Sequence, residues 1–162
     1  MSLTPTGRLF GEDLVLTRTF RAPIGDVWAS LTEPDRTARW FGPWEGDAGP
    51  GRTIKVQMVQ EEGKPWFDMT VDACEAPTRL AVSAGEEGDR WHLELVLTET
   101  AGVTELRFTQ RLTSTDGIGE VGPGWEFYLD ALVASRDGTA MPSFDDYYPS
   151  MKEHFEAQRP GS

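Results

Sequence analysis

One stretch limits the possible folds of this chain more than any other, the segment from Gly122 to Gly138. Trp125, Tyr128, Leu129, Leu132 and Val133 recur at i, i+3, i+4, i+7 and i+8, which puts them on one face of a helix. Glu126, Asp130 and Asp137 fall off that stripe. Pro123 suits a first-turn position, where no backbone donor is needed. Arg136 lies where a cation meets the negative end of the helix dipole, and Gly138 can take the left-handed conformation that ends a helix. Such a helix needs a broad apolar surface to cover its stripe.

The preceding residues supply that surface. Ile54, Val56 and Met58 alternate with polar residues, as do Phe67, Met69, Val71 and Ala73, then Leu80 and Val82, then Trp91, Leu93, Leu95 and Leu97, then Leu106, Phe108 and Leu112. Turn signals at Glu61-Glu62-Gly63-Lys64, Glu75-Ala76-Pro77, Gly85-Glu86-Glu87-Gly88 and Thr98 to Gly102 separate them. This spacing predicts an antiparallel meander of five strands with one apolar face. Asp68 and Asp72, and likewise His92 and Glu94, fall on the outward face.

Before the meander, Leu14 to Arg21 reads as a strand whose apolar face, Leu14, Leu16 and Phe20, is interrupted by Arg18. Residues 1–13 read as an irregular arm. Ile24, Val27, Trp28 and Leu31 have helical spacing after Pro23, and Pro34 opens a second short helix whose tail carries Ala38, Trp40 and Phe41, stopped by Gly42-Pro43. Beyond Gly138, an aromatic-rich linker leads to Ser150-Met151-Lys152-Glu153, a capping-box pattern for a short helix with Met151, His154 and Phe155 inward. No repeat or boundary divides the chain, so it is expected to form one domain over 1–162, with an arm (1–13) and a C-terminal extension (139–162).

Charge narrows the partners. The 27 acids against 15 Lys+Arg give a net charge of −12, which repels phosphate backbones and anionic lipid. Nucleic acid and membrane are therefore not expected as partners, and no apolar run approaches the ~20 residues needed to span a bilayer. The first residues lack a basic region followed by an apolar core, so no leader is expected. The single cysteine, Cys74, excludes an internal disulfide. The expected location is the cytoplasm.

The order strand, two short helices, meander, long helix resembles the helix-grip fold of the START and birch-pollen-allergen (SRPBCC) superfamily. The closer resemblance is to bacterial proteins similar to the activator of heat-shock protein 90 ATPase. It is carried by Arg18-Thr19-Phe20-Arg21-Ala22-Pro23, Val27-Trp28, Leu31-Thr32-Glu33-Pro34, Trp40-Phe41-Gly42-Pro43 and Gly124-Trp125 with Leu129 and Leu132. It implies an α+β fold in which a curved antiparallel sheet of about six strands wraps around the C-terminal helix. It also implies a hollow between sheet and helix. Fold alone does not settle function in this superfamily.

Candidate ligand contacts in that hollow are Trp40, Phe41, Trp44, Met58, Phe67, Met69, Trp91, Phe108, Trp125, Tyr128, Leu129 and Leu132. Methionines supply adaptable surface and aromatics flat walls, which suits rings and acyl chains. Arg18 and Gln110 each interrupt an apolar strand face. They are either a polar handle for a ligand, or else Arg18 is one half of a pair with an acid near the sheet end and Gln110 marks where its strand leaves cover. No metal-ligand spacing, catalytic triad or phosphate loop is present, and neither catalytic residues nor a cofactor is expected. The reading is a non-enzymatic protein that binds a hydrophobic small molecule. The alternatives are a protein-interaction module that modulates a chaperone and a cyclase- or hydrolase-type enzyme using the same cavity.

Overall fold

The computed structural model describes residues 4–47, 49–85, 91–112 and 114–159. Strands β1 (Arg8–Phe10) and β2 (Asp13–Phe20) come first, then helices α1 (Ile24–Thr32) and α2 (Pro34–Thr37). Strands β3 (Trp44–Glu45), β4 (Thr53–Gln57), β5 (Trp66–Glu75), β6 (Arg79–Ala84), β7 (Trp91–Thr100) and β8 (Val103–Arg111) follow. Helix α3 (Ile118–Asp137), a short 3-10 turn at Phe144–Asp146 and helix α4 (Lys152–Glu156) complete the described chain. The architecture is the α+β helix-grip fold, one antiparallel sheet packed on a long C-terminal helix.

The sheet has eight strands, in the order β1-β2-β8-β7-β6-β5-β4-β3, rather than about six. The two additional strands are the edges. Arg8–Phe10 is not an irregular arm: it turns through Gly11, at φ 65, and pairs antiparallel with β2. A glycine takes that conformation without steric cost, which makes the tight hairpin possible. At the other edge, Trp44 and Glu45 pair with Val56 and Lys55. Part of the expected turn, residues 86–88, lies outside the described residues.

Side chains on the inner face form rows across the sheet. Val71, Val82, Leu93, Gln110 and Leu14 make one row, and Cys74, Leu80, Leu95, Phe108 and Leu16 the next. The second row begins with Cys74 rather than Ala73 because the register shifts between Val71 and Ala73. A bulge adds one residue and reverses which parity faces inward.

Helix α3 begins earlier than the periodicity predicts. Pro123 is its sixth residue, not part of the first turn, and Gly117 precedes the helix. The glycine-rich start, Gly119 and Gly122, is poor in helix propensity and is held instead by tertiary packing. A Cβ on Gly122 would stand 2.5 Å from the Phe155 ring, and one on Gly119 would stand 2.9 Å from Lys152 Cγ. The missing side chains therefore form the seat of α4. Gly138 ends the helix at φ 71, as expected. The expected capping box does not form: Met151 is the N-cap without a side-chain bond, and the Ser150 hydroxyl donates to Asp146 O at 3.0 Å. That hydroxyl is taken up by the turn before the helix.

Two faces of α3 are covered, not one. Leu129 and Leu132 are fully buried. Phe127, off the predicted stripe, is also buried and meets Phe144 and Tyr147 edge-on at 5.7 Å each. The C-terminal extension thus wraps the side of the helix that the sheet leaves open. No described helix is long and apolar enough to cross a membrane.

Candidate functional site

Sheet and helix do not close completely on each other. Between them lies a cavity of about 250 Å³. Its floor is β4 to β8, through Ile54, Val56, Met69, Val71, Cys74, Leu80, Val82, Leu93, Leu95 and Phe108. Trp125 and Leu129 of α3 form the roof. Leu31, Thr32 and Thr37 of the short helices, with Trp40, Phe41, Gly42 and Trp44, close one end. Gly49 and Pro50 complete the lining. Pro50 and Cys74 are solvent-exposed, and these residues mark the mouth.

Of the residues singled out in the sequence, Trp40, Phe41, Trp44, Met69, Phe108, Trp125 and Leu129 meet at this cavity. Met58, Phe67, Trp91, Tyr128 and Leu132 do not line it. Phe67 and Trp91 pack on each other at 6.0 Å, on the same sheet face but beyond the hollow. Met58 follows the end of β4 and packs on the core. Leu132 is core packing one turn beyond Leu129, and Tyr128 stands beside the wall. Sequence reading missed the β-branched and leucine residues of the floor, which carry only the alternation of any buried strand. It also missed Cys74, whose inward placement depends on the bulge.

The walls are apolar because their polar atoms are already paired. Trp40 Nε1 donates to Ser30 O at 2.9 Å, Trp44 Nε1 to Thr32 O at 2.8 Å and Trp125 Nε1 to Gln110 Oε1 at 2.7 Å. The Thr32 and Thr37 hydroxyls donate to Trp28 O and Pro34 O. No Asp, Glu, His, Lys or Arg is among the lining residues. Ring contacts stiffen the roof: Phe108 lies 4.4 Å from Trp125, and Phe41 stacks on Trp125 at 6.4 Å with 6° between planes. Gly42 permits residues 41–43 to pass close over β4, since a Cβ there would stand 1.5 Å from Gln57 O.

Arg18 and Gln110 do not come together. Arg18 pairs with Leu106 across the sheet, four residues from Gln110, a separation of roughly 13 Å along the strand. Arg18 pairs with acids instead: Nη2 donates to Glu126 Oε1 at 2.9 Å and Nε to Asp130 Oδ1 at 3.0 Å. Glu126 also accepts from Thr6 Oγ1 and from the backbone N–H groups of Thr6 and Gly7, and Asp130 accepts from the Tyr147 hydroxyl at 2.7 Å. Burial, aided by the Asp130 bond, holds the Tyr147 phenol above its ordinary pKa of 10.0. This network ties β2, α3, the N-terminal segment and the extension together, and it lies outside the cavity.

The family described as "Activator of Hsp90 ATPase homolog 1-like protein" matches residues 21–135. The chain belongs to this family. Activator of Hsp90 ATPase homolog 1-like proteins fall within the START-like superfamily, and similar solved structures carry the same fold. CalU16 from Micromonospora echinospora superposes with a TM-score of 0.75 at 27% identity, over 96% of this chain and 95% of that one. The protein encoded by BPP1335 from Bordetella parapertussis gives 0.77 at 25% identity, over 94% and 90%. DynU16, from the dynemicin biosynthetic locus, shares the fold alone, with a TM-score of 0.68 at 22% identity, over 85% of this chain and 50% of that one. No curated protein matches the chain.

Proposed function

We propose that the protein binds a compact hydrophobic molecule between the sheet and α3. One observation carries the reading: the grip leaves a cavity of about 250 Å³ whose lining indole N–H groups are all paired within the protein. Apolar pockets with few polar groups are the usual small-molecule sites, and transfer of an apolar ring into such walls is favourable. The volume is just below the usual range for drug-sized ligands, so a ligand of two or three fused rings or a short acyl chain fits better than a long lipid. The lining residues offer no carboxylate, imidazole or amine to act as general acid or base, which supports binding over cyclase or hydrolase chemistry. The hollow likewise favours this reading over the chaperone-interaction module, which has no need of an open interior. We read residues 1–162 as one unit working in the cytoplasm.

A thermal-shift screen of fatty acids, flavonoids and polycyclic ketones tests it. At least one class should raise the melting temperature in a concentration-dependent way. No shift with any class would leave the interaction module as the better reading, and turnover of a panel member would make the protein an enzyme.

A further inference from the structure

No charged side chain lines the cavity and its indole donors are spent, so an anionic group on a ligand is stable only at the mouth. One cation stands there. Gly51 N–H donates to Val71 O at 2.7 Å and Val71 N–H to Arg52 O at 2.9 Å, so Arg52 lies opposite a residue of the cavity floor. Arg52 immediately precedes β4 and is two residues before Ile54, which also lines the floor. Alternation therefore puts it on the cavity side of the sheet, at the open end. Its side chain runs beside Gly49 of the mouth: a Cβ on Gly49 would stand 3.5 Å from Arg52 Cδ and 3.7 Å from Nε. The guanidinium is barely committed. Its one ion-pair partner among the described residues is Asp47, with Nη1 3.9 Å from Oδ2 and the two side chains 65% and 93% exposed. A pair that long and that exposed contributes little. The neighbouring cations are taken: Lys55 pairs with Asp68 at 3.0 Å, and Arg79 with Glu75 and Glu94 at 2.8 Å each.

Taking the small-molecule reading above as its basis, we propose that the ligand is an apolar carboxylic acid, held with its rings or chain in the cavity and its carboxylate at the mouth on Arg52. Asp47 meets only Nη1. The edge formed by Nε and Nη2 is open to a carboxylate, which a guanidinium grips side-on through two parallel N–H bonds. The enclosed walls favour the burial of carbon, and the rim holds the one charge that the walls reject. The net charge of −12 opposes an anion at long range. Physiological salt screens charges beyond about 8 Å, and Arg52 acts inside that distance.

The test uses fluorene, fluorene-2-carboxylate and its neutral isostere fluorene-2-carboxamide, titrated by calorimetry into the wild-type chain, Arg52→Gln and Arg52→Lys. The wild type should bind the carboxylate about three- to tenfold more tightly than the carboxamide, and added salt should narrow the difference. Arg52→Gln should lose the preference and keep the wild-type affinity for fluorene and the carboxamide. Arg52→Lys, a point charge without the fork, should keep part of the preference. Both variants should melt with the wild type, because the side chain they replace is 65% exposed. A carboxylate preference that survives in Arg52→Gln, or is absent or salt-independent in the wild type, overturns the proposal. So does an equal loss of affinity for all three probes in Arg52→Gln, which would make the residue structural rather than selective. Failure of the wild type to bind any of the three contradicts the small-molecule reading itself, and the proposal falls with it.

Discussion

Arg18 Nη2 lies 2.9 Å from Glu126 Oε1, across the gap between the second strand and the long helix. The side chains are 11% and 2% exposed. Glu126 also receives the Thr6 and Gly7 donors, so this pair fastens the N-terminal segment as well as the helix. Breaking a buried pair outright costs about 3–5 kcal/mol, but without Glu126 the Arg18 guanidinium keeps Asp130 at 3.0 Å, so the loss, which includes the Thr6 and Gly7 donors left unpaired, should fall at the lower end of that range. Glu126→Leu should lower the chemical-denaturation stability by that order. A midpoint equal to wild type would show that the pair contributes nothing net.

The seat of α4 on α3 gives a prediction in which two effects compete. Alanine is the better helix former than glycine by about 1 kcal/mol. At position 122, however, a Cβ would stand 2.5 Å from the Phe155 ring, and the ring has no room near Gly7 either, where a Cβ would stand 2.6 Å from it. Overpacking of a filled site costs about 1–3 kcal/mol, so the clash should win. Gly122→Ala should melt below wild type, and a rise in melting temperature would refute the packing described.

Leu132 is fully buried and belongs to the core rather than to the cavity wall. Leu132→Ala should cost about 2–5 kcal/mol in urea unfolding. An unchanged unfolding curve would mean that α3 is not the main support of the sheet.

Alkaline pH should destabilise the fold. Tyr128 and Tyr147 both have folded pKa values raised above the ordinary 10.0, so the stability they contribute is complete below pH 10.0 and is lost as pH rises towards the folded values. Melting temperatures recorded from pH 8 to 11 should therefore fall in the upper part of that range, and less so in a Tyr128→Phe, Tyr147→Phe double variant. Equal slopes for the two proteins would remove the tyrosines from the account.

Much of this architecture is legible in the residues, and the exceptions have physical causes. The long strands and the stripe of α3 announce themselves because alternation and helical period persist over many residues. The edge strands do not: β3 is two residues long, and Phe10 of β1 is 61% exposed, so neither leaves a pattern. Pro123 misplaced the helix start because a proline can sit beyond the first turn when packing supports the turn before it. The partners of Arg18 are 108 and 112 residues away, a distance over which only the fold pairs acids with a base. At the cavity, aromatic residues stood out while the aliphatic floor did not, and a single bulge decided that Cys74 faces inward.

The acidic surface leads to a prediction about partners. At a net charge of −12, the chain should give no gel shift with non-specific duplex DNA at low salt. Salt-sensitive binding in the micromolar range would refute it.

The central claim is that the hollow between sheet and α3 takes up an apolar molecule. Leu129 is fully buried in its roof, so Leu129→Trp should fill the space without exposing new surface. Titrating 9-fluorenone into both proteins by calorimetry at several temperatures measures this directly. The account predicts saturable single-site binding to wild type with a negative heat-capacity change, and none to Leu129→Trp with its circular dichroism intact. Equal binding by the two proteins, or no binding by wild type, would contradict it.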